Sequence, residues 1–170
     1  PSSSYEINKQ LTIMKDYKTT VLTSTPGFAL HIGTVLKELN MHSEELFLRK
    51  GIFGAEPWSE SLRTEIEETL HIEAYDTYGI TEIIGPGVAY ECTERNGLHI
   101  NDDHFIPEVI DPETLEPKQP GEEGELVFTT ITKQGFPLIR YRTGDICSLN
   151  PEPCACGRTN TRMSRITGRT

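Results

Sequence analysis

The spacing of apolar residues changes character near the middle of the chain. In the first half, stretches with helical spacing alternate with short β-branched runs. Ile7, Leu11, Ile13 and Met14 predict an amphipathic helix from Tyr5 to Tyr17, after a frayed Pro1–Ser4 start. Thr19-Thr20-Val21-Leu22 predicts a strand. Thr25-Pro26 then opens a second helix carrying Ala29, Leu30, Val35, Leu36 and Leu39. Ser43-Glu44-Glu45 caps a short turn into Leu46-Phe47-Leu48, and Lys50 to Gly54 is a strand running into a glycine turn. Ser59 and Glu60 start a helix to about Leu70, with Leu62, Ile66 and Leu70 on one face, and Ile72 to Tyr75 is the next strand. Strand, helix, strand, helix, strand reads as a crossover unit with a parallel sheet.

From about Val88 the pattern becomes short β-type runs. They are Tyr90, Leu98 to Ile100, His104 to Ile106, Glu108 to Ile110, Leu126 to Phe128, Leu138 to Tyr141 and Asp145-Ile146. Turn signals at Arg95-Asn96-Gly97, Asp111-Pro112 and Pro120 to Gly124 divide them. The predicted class is α/β followed by mostly β. Residues 1–87 form a parallel-sheet α/β subdomain, and residues 88–165 a small antiparallel, barrel-like one.

Composition narrows the function. No run of eighteen apolar residues and no basic-then-apolar leader occurs, which points away from a membrane span or export. Four cysteines in 170 residues are few for a disulfide scaffold, so a reduced cytoplasm is expected. A net charge of −10 argues against nucleic acid as a partner. The charge is uneven, however. Residues 133–169 hold seven cations (Lys133, Arg140, Arg142, Arg158, Arg162, Arg165, Arg169) against Asp145 and Glu152. Such an end suits a phosphate-bearing small ligand, or is a solvated edge salted with charge.

The stretch Tyr75 to Cys92 carries the first chemistry. It reads as a strand turning at Gly79, followed by Thr81 beside Glu82 and a Gly85-Pro86-Gly87 break. A hydroxyl beside a carboxylate past a strand end suits a phosphate and its magnesium ion; it also reads as a plain strand, turn and capping box. His31, His42 and His71 read as surface or packed histidines.

The cysteines suggest a second chemistry. Cys154 and Cys156 in Cys154-Ala155-Cys156-Gly157 fall on one side of an extended segment. Cys92 and His99 flank the Arg95-Asn96-Gly97 turn, where a hairpin would bring them together. Three thiolates and an imidazole make a closed tetrahedral zinc site; the alternative is free thiols in a reduced compartment. His104, beside Asp102 and Asp103, is the rival fourth ligand, although Asp103 would more simply hydrogen-bond it. Cys147 reads as a lone buried thiol.

Three stretches, in order, carry a resemblance. They are Gly51-Ile52-Phe53-Gly54-Ala55-Glu56-Pro57-Trp58, Tyr78-Gly79-Ile80-Thr81-Glu82, and Pro137-Leu138-Ile139-Arg140-Tyr141-Arg142-Thr143-Gly144-Asp145. From about Tyr5 to Thr170 the chain resembles the adenylate-forming enzymes: acyl-CoA synthetases, adenylation domains and luciferases. The wording is closest to the phenylacetate–CoA ligase branch. The resemblance implies ATP-dependent adenylation of phenylacetate or a similar aryl acid, then transfer to coenzyme A. It assigns Gly54, Ala55, Glu56, Asp76, Tyr78, Gly79, Thr81, Asp145 and Arg169 to the nucleotide. Within that set, the Gly54 to Glu56 backbone receives adenine, Tyr78 stacks on the purine, and Thr81 meets the α-phosphate. Asp145 and Arg169 reach the ribose. Glu82 takes Mg2+, so Thr81 and Glu82 are the catalytic pair. Ala55, Tyr78, Gly79 and Pro86 resemble an aryl-acetate wall. A Cys-x-Cys-Gly-Arg segment occurs in some members and supports the zinc set.

The resemblance also implies a fragment. Residues 166–170 match the start of a hinge, and the family's phosphate loop and lysine-bearing C-terminal domain are expected outside this stretch. The parent is therefore expected to be the enzyme, with a homodimer among its expected states, and the isolated piece is expected to be inactive. Competing expectations are a zinc-stabilised binding module with a remnant nucleotide groove, and an adenylating enzyme delivering to a carrier protein.

Overall fold

The computed structural model describes residues 7–170, so the expectations on Pro1–Ser4 and on the start at Tyr5 lie outside the described residues. Two compact units divide at Asp76/Thr77.

In the first unit, α1 (Ile7–Asp16) buries Leu11 and Met14, and β1 (Val21–Ser24) follows. Helix α2 (Pro26–Glu38) starts where Thr25 Oγ1 accepts from Phe28 N at 3.3 Å, with Pro26 at the first turn. A 3-10 turn (Ser43–Leu46) leads to β2 (Lys50–Phe53). Helix α3 (Glu60–Leu70) is capped by Ser59, whose Oγ accepts from Leu62 N at 3.2 Å. The chain then enters β3 (Glu73–Ile80). β1 pairs parallel with β2, and β2 with the start of β3, as the crossover pattern requires. The core packs Ile32, Leu36, Leu46, Phe53, Ile66 and Leu70. Phe53 meets Trp58 edge-on at 5.8 Å, and the Arg63 guanidinium lies 4.8 Å over the Trp58 ring.

In the second unit, the rest of β3 pairs antiparallel with β4 (Ile84–Glu91). β4 pairs with β5 (Leu98–Ile100), and β5 with β10 (Arg162–Met163), which also pairs with β9 (Leu149–Asn150). A separate antiparallel sheet contains β6 (Phe105–Ile110), β7 (Gly124–Thr130), β8 (Tyr141–Cys147) and β11 (Gly168–Arg169), in the order β11-β8-β7-β6. Their core holds Val88, Ile100, Phe105, Leu126, Phe128 and Met163.

Two local expectations are corrected. The chain does not turn at Gly79 or break at Gly85-Pro86-Gly87. β3 runs on to Ile80, the turn is Thr81 to Ile83, and Gly85 to Gly87 lie within β4. Gly79 sits instead at a register shift, where an added Cβ would stand 2.7 Å from Gly85 O; the glycine lets the two strands approach. Leu138 to Arg140 are not strand either. Arg140 has a left-handed backbone (φ +48) and Ile139 is exposed, so β8 begins only at Tyr141.

Candidate functional site

In the second unit, Asp145 is the convergence point. It is only 6 % exposed on β8. Tyr78 Oη donates to its Oδ2 at 2.7 Å, and Arg169 Nε lies 2.9 Å from its Oδ1. Arg169 also donates to Thr143 O at 3.2 Å. Burial, and then the hydrogen bond to Asp145, hold the Tyr78 phenol far above its ordinary pKa, so it stays a donor. One Tyr78 face stacks on Phe128, with centroids 6.5 Å apart.

The sequence around Asp145 explains its placement. The buried Glu125 carboxylate holds Arg142 through Nε at 2.8 Å and accepts from Gly144 N at 3.1 Å. Thr143 Oγ1 donates to Leu126 O at 2.8 Å and accepts from Asp145 N at 3.0 Å. Gly144 adopts φ +76, which favours glycine. Arg-Thr-Gly-Asp is thus a locked corner that presents one carboxylate.

The basic end is mostly paired off. Arg140 meets Glu108 at 3.2 Å, Arg165 meets Glu91 at 3.7 Å, and Arg142 and Arg169 have the partners just given. Thr81 and Glu82 are exposed on the turn after β3, with Thr81 Oγ1 3.3 Å from Glu82 Oε2. Lys133 Nζ donates to Glu82 O at 2.6 Å. Sequence reasoning counted Lys133 only as part of a charged end; the signal tying it to this turn is spatial, across fifty-one residues.

In the first unit, Gly54, Ala55 and Glu56 follow β2. Ala55 has a left-handed backbone (φ +67). Glu56 Oε1 accepts from Gly27 N at 2.8 Å, taking an unpaired donor in the first turn of α2. Asp76, buried, is register partner of Phe53.

The cysteine set lies wholly in the second unit. Cys92, His99, Cys154 and Cys156 bring four ligand atoms within 4.8 Å of one another. The β4–β5 register sets Tyr90 opposite His99 and Glu91 opposite Leu98, which folds Cys92 back toward His99. His104 lies elsewhere: its Nδ1 is 2.8 Å from Thr132 Oγ1, and its Nε2 is 3.6 Å from Asp103. Cys147 is fully buried, and burial, then the nearby Asp145 charge, push its thiol up to about 12.

Comparison with known proteins gives the chain's relatives. The chain is 45% identical over 171 residues to a phenylacetate–coenzyme A ligase of Thermus thermophilus, and 44% identical over 170 residues to one of Aromatoleum evansii. The matches take in 100% and 99% of the chain, which spans about 38% of the length of each relative. In fold it resembles an open form of 2-hydroxyisobutyryl-CoA ligase in complex with 2-HIB-AMP and CoA. The TM-score is 0.91 at 23% identity, covering 99% of this chain and 40% of that one. Residues 2–132 match the model of the AMP-binding enzyme family. The ordered motifs, the fold and that match agree, and the chain belongs to the AMP-binding enzyme family.

Proposed function

We propose that this chain is the adenylate-holding part of an ATP-dependent ligase that activates phenylacetate or a similar aryl acid and passes the acyl group to coenzyme A. The observation that carries the reading is Asp145, clamped by Tyr78 and Arg169 in a chain of this family. A carboxylate has about four lone-pair sites. Tyr78 and Arg169 use one on each oxygen, which leaves one per oxygen for two vicinal ribose hydroxyls. The 43% to 45% identity to curated phenylacetate–CoA ligases supports the acid and the acceptor.

In the reaction, the acid's carboxylate attacks the α-phosphate of ATP and pyrophosphate leaves. The thiol of coenzyme A then attacks the acyl carbonyl and AMP leaves. The chain's part is positioning and charge neutralisation. Thr81 donates to the α-phosphate. The exposed Glu82 carboxylate, an oxygen donor beside the Thr81 hydroxyl, suits a hard cation and would hold Mg2+, which supplies charge neutralisation when bound. Lys133, already at the Glu82 carbonyl, adds a fixed positive charge at that turn. The Gly54 to Glu56 backbone and Asp76 are assigned to the base on the first unit. Tyr78, Gly79 and Pro86 are assigned to the acyl group, and Ala55 has the same role on the first unit.

The test is acyl-CoA formation by the full-length protein from ATP, coenzyme A and a panel of aryl and aliphatic acids. Aryl-acetates turning over best, with AMP and pyrophosphate released in equal amounts, is the expected result. Transfer to a carrier protein but not to coenzyme A would overturn the acceptor. Absence of adenylate with every acid would overturn the activity.

A further inference from the structure

We infer that Cys92, His99, Cys154 and Cys156 bind one zinc ion in a closed, four-coordinate site that joins the β4–β5 turn to the loop between β9 and β10. The inference uses only residues of the second unit and none of the ligase roles.

The distances carry it. Cys92 Sγ and Cys154 Sγ are 3.8 Å apart, and Cys156 Sγ and His99 Nε2 are 3.6 Å apart. A tetrahedron with Zn–S of about 2.3 Å and Zn–N of about 2.0–2.1 Å has edges of about 3.8 Å between sulfurs and about 3.6 Å from sulfur to nitrogen. The cysteines are free thiols rather than a disulfide. The donor set, three sulfurs and one imidazole, is a soft one of the kind structural zinc takes. Cys92, His99 and Cys154 are buried, and His99 has no exposed surface.

The loops turn donors toward the sulfurs. Two sulfurs accept from the backbone N–H two residues further on, Cys92 from Glu94 and Cys156 from Arg158. Two unrelated loops therefore turn their amides toward sulfur in the same way. Three thiolates around a divalent ion leave one negative charge. Arg158 answers it: Nη1 stands 3.4 Å from Cys156 Sγ, and its guanidinium lies 5.8 Å over the Tyr90 ring. Loading releases to solvent whatever protons the three thiols still carry.

Arg162 is the positioning residue that holds the two halves in register. It is buried on β10, opposite His99. Its Nη1 donates to Asn96 O at 2.7 Å, in the turn between Cys92 and His99. Its Nη2 donates to Glu152 O at 3.1 Å, two residues before Cys154.

The test is metal analysis of the full-length protein purified without added metal, followed by cobalt exchange. About one equivalent of zinc, and a cobalt form with intense tetrahedral d–d bands and a thiolate-to-cobalt charge-transfer band, are expected. Cys154→Ser/Cys156→Ser should lose the zinc. If that variant fails to fold, the wild-type cobalt spectrum still decides, because it needs no substitution. Less than about a tenth of an equivalent of zinc with no tetrahedral cobalt spectrum would overturn the inference. So would full zinc retained by the double variant. Ligase activity is not the readout, so failure here is distinct from failure of the proposed reaction.

Discussion

The Tyr78 hydroxyl donates to Asp145 Oδ2 at 2.7 Å, joining two residues 67 positions apart. With Arg169 on the other oxygen, the carboxylate is fixed in place ahead of the nucleotide we propose it holds. Preorganisation of this kind lowers the ordering cost of binding.

The first prediction follows from that division of labour. Asp145→Asn in the full-length protein should weaken AMP binding on the order of 10- to 100-fold, the scale of hydrogen bonds to a charged group. Glu82→Gln should leave AMP affinity unchanged in metal-free buffer, since the role proposed for it is toward the cation. Calorimetry on both variants checks it, and equal losses without magnesium would show the roles to be misassigned.

Glu125 is nearly fully buried and holds both Arg142 and the Gly144 amide. Glu125→Ala removes the acceptor of Arg142 Nε and Nη2 and of the Gly144 amide; because the Arg142 side chain is half-exposed and can turn to water, the cost should be roughly 1–2 kcal/mol of stability. It should also loosen the Arg142 to Asp145 corner. A lower thermal midpoint together with a raised AMP dissociation constant is expected; a change in stability alone would mean the corner survives without its clamp.

Gly97 has φ +83, and an added Cβ would stand 2.8 Å from Met163 O. Gly97→Ala therefore meets both backbone strain and a backbone clash, and should destabilise the second unit by on the order of 2 kcal/mol. Because Gly97 closes the turn between Cys92 and His99, zinc affinity should fall with it. Chelator competition, measured beside thermal unfolding, reads both.

Cys147 gives a pH prediction. Burial, then the Asp145 charge, push its thiol from an ordinary value of 9.0 up to about 12 in the fold. Between those values the unfolded chain has released a proton that the folded chain keeps. Stability is thus unaffected below about pH 9 and falls as pH rises toward 12, by up to about 1.4 kcal/mol per pH unit. Cys147→Ala should make the fall in that window shallower, leaving the part that the raised Tyr78 phenol contributes above about pH 10, and should leave the slope near pH 7 unchanged. Denaturant melts across the range test it.

Legibility from sequence followed the range of the forces involved. Helix α3 could be read because its cap, Ser59, and its apolar face are neighbours along the chain. The parallel unit followed from the alternation of elements. The change from parallel to antiparallel pairing inside β3 was not legible, because one strand carries both pairings and its residues do not announce the switch at Asp76/Thr77. Gly85-Pro86-Gly87 looked like a break, yet it lies in a strand whose partner bears Gly79. Leu138 to Arg140 had the apolar content of a strand but not the backbone. In the candidate site, the Arg-Thr-Gly-Asp wording pointed to Asp145. Its supports, Glu125 and Tyr78, are set by strand register across long sequence gaps. Lys133 at Glu82 is legible only in three dimensions for the same reason.

The Cys92 and Cys154 sulfurs, 62 positions apart in sequence, close a stretch that contains β6, β7 and β8. With an ion across that pair, this part of the chain is a ring rather than a thread. The exposed tip between β6 and β7, where Asp111 Oδ1 accepts from Glu113 N and Thr114 N at 3.0 Å each, lies on the ring. A single protease cut there opens the ring without releasing a piece. The nicked molecule can still find its partner strands as an intramolecular event, and stripping the ion removes that tether.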